Sequence, residues 1–162
     1  LHLDNADEAE GRGQGARLLV LDQVTDPRNV GAMLRSARAF GVSAIILTRK
    51  HAPQETASLA KAAAGALEYV PLVRVVNLAR ALDEMKYAGI MLAGLDALAP
   101  DTLDGLADIQ HLGLVMGAEA TGMRRLTKQS CDRLVAIPMQ SDTESLNVSV
   151  AAAIALYASC QK

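Results

Sequence analysis

Short hydrophobic runs recur along this chain, and most are followed by a stretch with helical spacing. Leu18-Leu19-Val20-Leu21 is apolar without alternation, which predicts a strand buried on both faces. Asn29 reads as the N-cap of a helix over Val30 to Phe40, stopped by Gly41. A second strand is expected over Ala44 to Leu47, then a helix from Thr56 to Ala64 closed by Gly65. Tyr69 to Val73 reads as a short strand interrupted by Pro71, hence at a sheet edge. Asn77 caps a helix to about Tyr87, with Gly89 behind it. Strands follow at Ile90 to Leu95, Leu112 to Met116 and Leu134 to Ile137, and a last helix at Asn147 to about Cys160.

Strands alternating with helices predict an α/β domain with a mostly parallel sheet covered on both faces. Ligands of such sheets sit beyond the carboxyl ends of the strands. Three polar or glycine-bearing segments fall there: Thr25 to Asn29, Gly117 to Gly122, and Pro138 to Asn147. No internal repeat is visible.

At 162 residues and 17.0 kDa the chain has the size of one domain with a real core. Aromatic residues make up 2% and Trp is absent, so Ala, Leu, Val, Ile and Met must fill that core. Residues 1–16 are polar, with Gly11, Gly13 and Gly15 spaced by one. They precede a strand, so they are no dinucleotide fingerprint, and they read as a flexible linker where an upstream domain attaches. The start at Leu1 rather than Met reads as a chain cut from a longer protein or trimmed, and no signal peptide is visible. Val148 to Ala158, the longest apolar run, is too short to span a bilayer. Cys131 and Cys160 form no metal spacing and no disulfide framework, so a reducing cytoplasm is expected. A net charge of −2 gives no global support for a nucleic-acid partner.

Gly117-Ala118-Glu119-Ala120-Thr121-Gly122 has the glycine spacing of a phosphate loop, but Met123-Arg124 stands where Lys-Ser/Thr is required. That argues against an NTPase. The alternatives are a plain turn with an exposed Glu, or a backbone loop touching a ligand with Glu119 at its rim. Asp26 to Gly31 joins strand to helix, and Arg35 beyond it pairs with an acid or holds a phosphate. Arg38, one turn on, extends a phosphate-contacting face. His2, His51 and His111 are scattered and lie in no triad. The basic clusters Arg124-Arg125-Lys128 and Arg49-Lys50-Lys61 read first as solvated faces. Few aromatics argue against a stacking platform for single strands.

Together the three segments resemble the motifs of the SpoU family of RNA ribose methyltransferases, a branch of the SPOUT superfamily. The first is Asp22-x-x-x-Asp26-Pro27-x-Asn29-x-Gly31-x-x-x-Arg35-x-Ala37. The second is Met116-Gly117-x-Glu119-x-x-Gly122-Met123. The third is Ile137-Pro138-Met139 with Ser145-Leu146-Asn147-Val148-Ser149-Val150-Ala151. Each motif alone is weak, and the three in order cover Leu18 to nearly the end. Gly122-Met123-Arg124-Arg125-Leu126-Thr127, then Cys131-Asp132, look most like the bacterial branch that methylates a guanosine ribose in 23S rRNA. So does Val70-Pro71-Leu72-Val73-Arg74-Val75 with Asn77-Leu78-Ala79-Arg80. The tRNA branch shares the core motifs.

The resemblance implies a C-terminal deep trefoil knot, which no pattern argument would propose. It implies S-adenosylmethionine as cofactor, a homodimer, an RNA substrate and, in many members, an N-terminal RNA-binding domain. The positions matching the family's cofactor loops are Ala93, Gly94, Leu95, Met116, Gly117, Ile137, Met139, Leu146 and Asn147. Arg28, Arg35, Arg38 and Arg124 are the expected RNA contacts. The matching catalytic positions are Arg35, Asn29, Glu119, Ser145 and Asn147, the last four orienting Arg35, the ribose or the cofactor. In the family, the residue matching Arg35 is proposed to activate the 2′-hydroxyl. Arginine is essentially never deprotonated, so a phosphate clamp that stabilises alkoxide charge suits it better. No metal is needed for methyl transfer from a sulfonium.

Two other classes compete. A non-catalytic RNA-binding module on the same fold would not need Asn29, Arg35, Glu119 and Asn147 together. A nucleotide-dependent oxidoreductase needs Gly-x-Gly-x-x-Gly after the first strand, where Asp22-Gln23-Val24-Thr25-Asp26-Pro27 stands instead.

Overall fold

The computed structural model describes residues 15–50, 53, 57–140 and 145–160. Nearly all of the expected linker, together with His2, His51 and Thr56, lies outside the described residues. Strands β1 (Arg17–Asp22), β2 (Ala44–Thr48), β3 (Leu72–Val75), β4 (Met91–Leu95), β5 (Leu112–Gly117) and β6 (Arg133–Val135) form one sheet in the order β3-β2-β1-β5-β4-β6. Every neighbouring pair runs parallel. Helices α1 (Pro27–Ala39), α2 (Ala57–Ala63), α3 (Leu78–Tyr87), α4 (Arg125–Ser130) and α5 (Val148–Cys160) complete the described framework.

Side chains alternate across a strand, so an uninterrupted apolar strand needs a core on each side. In β1, Leu19 and Leu21 join a core with Met33 and Leu34 of α1, Leu59 of α2, and Ala152 and Leu156 of α5. Leu18 and Val20 join a second core with Leu78, Leu82 and Met85 of α3. Burying each such Leu or Met contributes about 1.5–3 kcal/mol relative to leaving it exposed. The expected helices on both faces are therefore present. No helix among the described residues is long and apolar enough to cross a membrane.

Four local expectations shift. Asp26, not Asn29, caps α1: its carboxylate accepts from the Arg28 amide at 2.9 Å, and Pro27 occupies the first turn. Proline at the first helical position suits the cap ahead of it, because its missing N–H is an orphan there anyway. Asn29 therefore lies within the first turn, its side chain free for other work. The third strand starts at Leu72 rather than Tyr69, after a 3-10 turn at Ala66–Glu68, and does lie at an edge. The last strand ends at Val135, because the Ala136 amide turns to the Asp101 carbonyl at 2.7 Å. Helix α4 has neither a side-chain cap nor an apolar period, and pattern reading passes over it.

Two contacts fix the frame around the motifs. A Cβ on Gly31 would lie 2.4 Å from the Ala62 Cβ, so glycine sets the close approach of α1 and α2. Arg17, buried at the start of β1, donates to the Ser159 carbonyl at 3.2 and 3.3 Å and to the Gln110 carbonyl at 2.8 Å. It thereby holds the last turn of α5 against the sheet.

Candidate functional site

Strands β1 and β5 are neighbours at the point where the strand order reverses, and Asp22 stands opposite Gly117 at their carboxyl ends. Crevices open at such switch points. Asp22 is 0% exposed. Its carboxylate accepts the Arg124 amide at 2.8 Å and the Arg124 Nε at 2.8 Å, and its Oδ1 lies 2.7 Å from Nη2. The end of the first motif is thus clamped to the end of the second.

Between them the chain folds tightly. Ala118 and Gly122 exchange backbone bonds of 3.2 and 2.8 Å, and Gly122 has φ of 65°. A Cβ on Gly117 would lie 2.1 Å from the Gly122 carbon and the Met123 nitrogen. Only glycine fits there, and the result is a small loop with Glu119 at its exposed tip. These glycines build the loop itself rather than a phosphate cradle.

The third motif enters from β6. Asp96 N–H donates to the Val135 carbonyl at 3.0 Å and Val135 also pairs with Asp101, so β6 lies between β4 and the 96–101 segment. Beyond it a groove of about 320 Å³ opens between residues 97–102 and 136–140, with Ala97, Ala99, Asp101, Ile137, Pro138 and Met139 in its walls. Further on, Asn147 does two jobs. Its Oδ1 caps α5, accepting from the Ser149 and Val150 amides at 3.0 and 3.4 Å. Its Nδ2 donates to the Asn29 Oδ1 at 3.1 Å, joining the first turns of α1 and α5.

The expected site residues therefore fall into groups. Asn29 and Asn147 are bonded to each other. Ser145 is exposed just before them, and Leu146 is half-buried. Arg28 pairs with Asp26 at 3.2 Å on the surface, and that bond holds the Asp26 carboxyl below its usual range. Arg35 is exposed on α1 and, among the described residues, makes no ion pair. Arg38 lies 3.8 Å over the Tyr69 ring. Arg124, expected to contact RNA, has its guanidinium on Asp22. Ile137 and Met139 line the groove, with Leu95 half-buried. Ala93 and Met116 have their side chains in the core, leaving only backbone for a ligand. At Gly94 a Cβ would lie 2.8 Å from both the Cys131 Sγ and the Met123 Cε, so this glycine serves packing.

Sequence reasoning missed the 97–102 wall of the groove and the anchoring role of Asp22. The available signal was Pro100 flanked by Asp96 and Asp101, turn-forming residues directly after an apolar strand. Lys128 pairs with Asp96, and that bond chiefly lowers the Asp96 carboxyl from its ordinary range. Cys131 is pushed up to about 11, first by burial and then by the Asp132 carboxylate.

The SpoU rRNA Methylase family profile matches residues 16–157, which carry all three motifs. The chain belongs to this family. Among curated relatives of this SpoU chain, the 23S rRNA (guanosine-2'-O-)-methyltransferase RlmB of Nitrosomonas europaea is 50% identical over 151 residues, 93% of the chain and 58% of the relative. The chain thus spans less than two thirds of the length of curated relatives that it matches. Among solved structures, the SpoU methyltransferase AviRb of Streptomyces viridochromogenes, in complex with the cofactor AdoMet, superposes with a TM-score of 0.80 at 30% identity, covering 92% of the chain and 58% of that protein. The TrmH/SpoU tRNA modifying enzyme of A. aeolicus superposes with a TM-score of 0.81 at 25% identity, covering 97% and 80%.

Proposed function

We propose that this chain is the catalytic part of an S-adenosylmethionine-dependent methyltransferase acting on a guanosine ribose 2′-hydroxyl in 23S rRNA. The observation that carries the reading is the joining of the three motifs at one end of the sheet, through Arg124 on Asp22 and Asn147 on Asn29. The relative RlmB, at 50% identity, supports rRNA as substrate over tRNA. The tRNA reading draws on a structural relative at 25% identity.

The groove fits the cofactor's chemistry. Its volume, about 320 Å³, falls within the range of small-molecule pockets. Ala97, Ala99, Ile137, Pro138 and Met139 offer an apolar shelf for a ring, and Asp101 and Thr102 offer polar edges. When bound, S-adenosylmethionine supplies an electrophilic methyl on a sulfonium. The chain's own part is positioning and charge. Arg35 holds a backbone phosphate and stabilises negative charge developing on the ribose oxygen. Asn29 and Asn147 orient the ribose at the meeting of two helix starts. Glu119, on a loop that the Asp22–Arg124 pair keeps in place, supplies a polar edge, as does Ser145.

The remaining parts of the reading have their own supports. A trefoil knot in the C-terminal chain is consistent with the passage of β6 between β4 and Asp101 before α5 crosses to α1. Val150, Ile154 and Tyr157 leave an apolar stripe on α5 open to a second copy, as expected of a homodimer. Free thiols at Cys131 and Cys160 accord with the cytoplasm. No metal is required.

The test is transfer of labelled methyl from S-adenosylmethionine to unmodified 23S rRNA and, separately, to tRNA, with the modified nucleoside identified. Label in 2′-O-methylguanosine of the rRNA is expected. Arg35→Ala is expected to abolish transfer while calorimetric cofactor binding survives. Equal loss of both would refute the role given to Arg35, and label in tRNA alone would overturn the substrate.

A further inference from the structure

The cations of this chain are divided unequally between its two faces. On the α3–α4 side most are held by acids: Arg80 by Glu84 at 3.0 Å, Lys86 by Asp132 at 3.0 Å, and Lys128 by Asp96. On the α1–α2 side, Arg28 is held by Asp26 at 3.2 Å, while Arg35 of α1 and Lys61 of α2 have no ion pair among the described residues. Helix α1 carries Arg28, Arg35 and Arg38 and no acid. Its seven-residue spacing puts Arg28 and Arg35 on one side, and the three arginines span about 15 Å along the axis.

At the far end of this row sits a feature that composition argued against. Arg38 stacks 3.8 Å over the ring of Tyr69, which is 63% exposed. Tyr69 is one of three tyrosines in the chain. It stands at the end of the Ala66–Glu68 turn, ahead of β3 and so at the amino end of the sheet. A guanidinium held over a ring face has N–H groups left for a ligand, and the ring restricts its rotamers before any ligand arrives. The acid next to it in sequence, Glu68, makes no ion pair with it.

We infer that the solvent face of α1, ending in the Arg38–Tyr69 stack, is a docking track for RNA flanking the methylated nucleotide. This inference rests on the reading of the chain as an RNA methyltransferase. Arg38 takes a backbone phosphate about two turns of helix beyond the first turn that holds Asn29, and Tyr69 holds its guanidinium in place. The α3–α4 face, where Arg80, Lys86 and Lys128 are held by acids, stays off the RNA.

The test is equilibrium binding of the full chain to an unmodified 23S rRNA transcript across a salt series, with methyl transfer measured in parallel. Arg38→Ala is expected to weaken binding and to reduce the slope of log affinity against log salt by about 0.7–0.9, the release of one phosphate's counterion. Tyr69→Ala is expected to weaken binding about two- to tenfold, and Tyr69→Phe to restore it, since the ring and not the hydroxyl does the work. Lys86→Ala should leave both affinity and slope unchanged. All three positions are exposed, and unchanged melting confirms folding of each variant. An unchanged slope in Arg38→Ala, or an equal loss in Lys86→Ala, overturns the track while leaving the methyltransferase reading intact. A change in sedimentation without a change in RNA affinity also overturns it, by assigning the stack to a protein contact. Failure of the wild-type chain both to bind and to methylate the transcript overturns the underlying reading, and this inference with it.

Discussion

Removing the Arg124 side chain is expected to destabilise this fold more than neutralising the carboxylate it faces, although Asp22 is the buried partner. Asp22 is 0% exposed, and three Arg124 groups serve its two oxygens. Arg124→Ala strips two of them and leaves a buried charge with one backbone N–H. Breaking a buried pair from one side costs about 3–5 kcal/mol. The Arg124 side chain is 45% exposed, so water replaces part of it, and about 2–3 kcal/mol is expected. Asp22→Asn removes the charge, keeps an oxygen acceptor and releases the guanidinium to solvent, for about 1–2 kcal/mol. The double variant should be about 1–2 kcal/mol more stable than the sum of the singles predicts, because neither partner is left alone. Urea unfolding with an unchanged slope measures all four corners of the cycle. For a chain of 162 residues, Arg124→Ala should also melt about 4–12 °C lower. Additive singles, or an Arg124→Ala cost below that of Asp22→Asn, would refute the clamp.

Three further outcomes follow from single contacts. Gly117→Ala places a methyl 2.1 Å from the Gly122 carbon, so the loop must move; about 2–4 kcal/mol is expected in urea unfolding, with methyl transfer lost. Asn147→Asp keeps the acceptor that caps α5 but loses the amide donated to Asn29, so stability should change by under about 1 kcal/mol while transfer falls; Asn147→Ala loses both, for about 1–2 kcal/mol by the same measurement. With Cys131 pushed up to about 11, its thiolate fraction at pH 8 is on the order of one in a thousand, so iodoacetamide should label it far more slowly in the folded chain than in urea, as read by peptide mass mapping. The sign for stability follows: the folded state holds this proton more tightly, so the contribution is present below the thiol's ordinary range and is lost as pH rises toward about 11.

The sequence by itself determined the class of the fold and named the candidate residues of the site. Apolar runs without alternation, as in β1 and β5, require cover on both faces, and helices between them require parallel pairing. The three motif segments fall at carboxyl strand ends for the same reason, and the residue types at Asn29, Arg35, Glu119 and Asn147 announce polar chemistry there. Local signals also competed. Asp26 and Asn29 are both good caps, and only proline's fit to the first turn decides for Asp26.

What tertiary structure alone decided is which of these groups meet. Asp22 and Arg124 lie 102 residues apart and Asn29 and Asn147 lie 118 apart. No local pattern encodes such contacts, because they depend on β5 pairing with β1 and on α5 crossing back to α1. The same dependence made Arg124, an expected RNA contact, half of a clamp, and set Gly94, an expected cofactor contact, against Cys131 and Met123. It also brought Arg38 onto Tyr69, across 31 positions that no helical or strand period connects. A sequence period reaches one face of one element, whereas these contacts are made between elements, where packing rather than periodicity sets the distance.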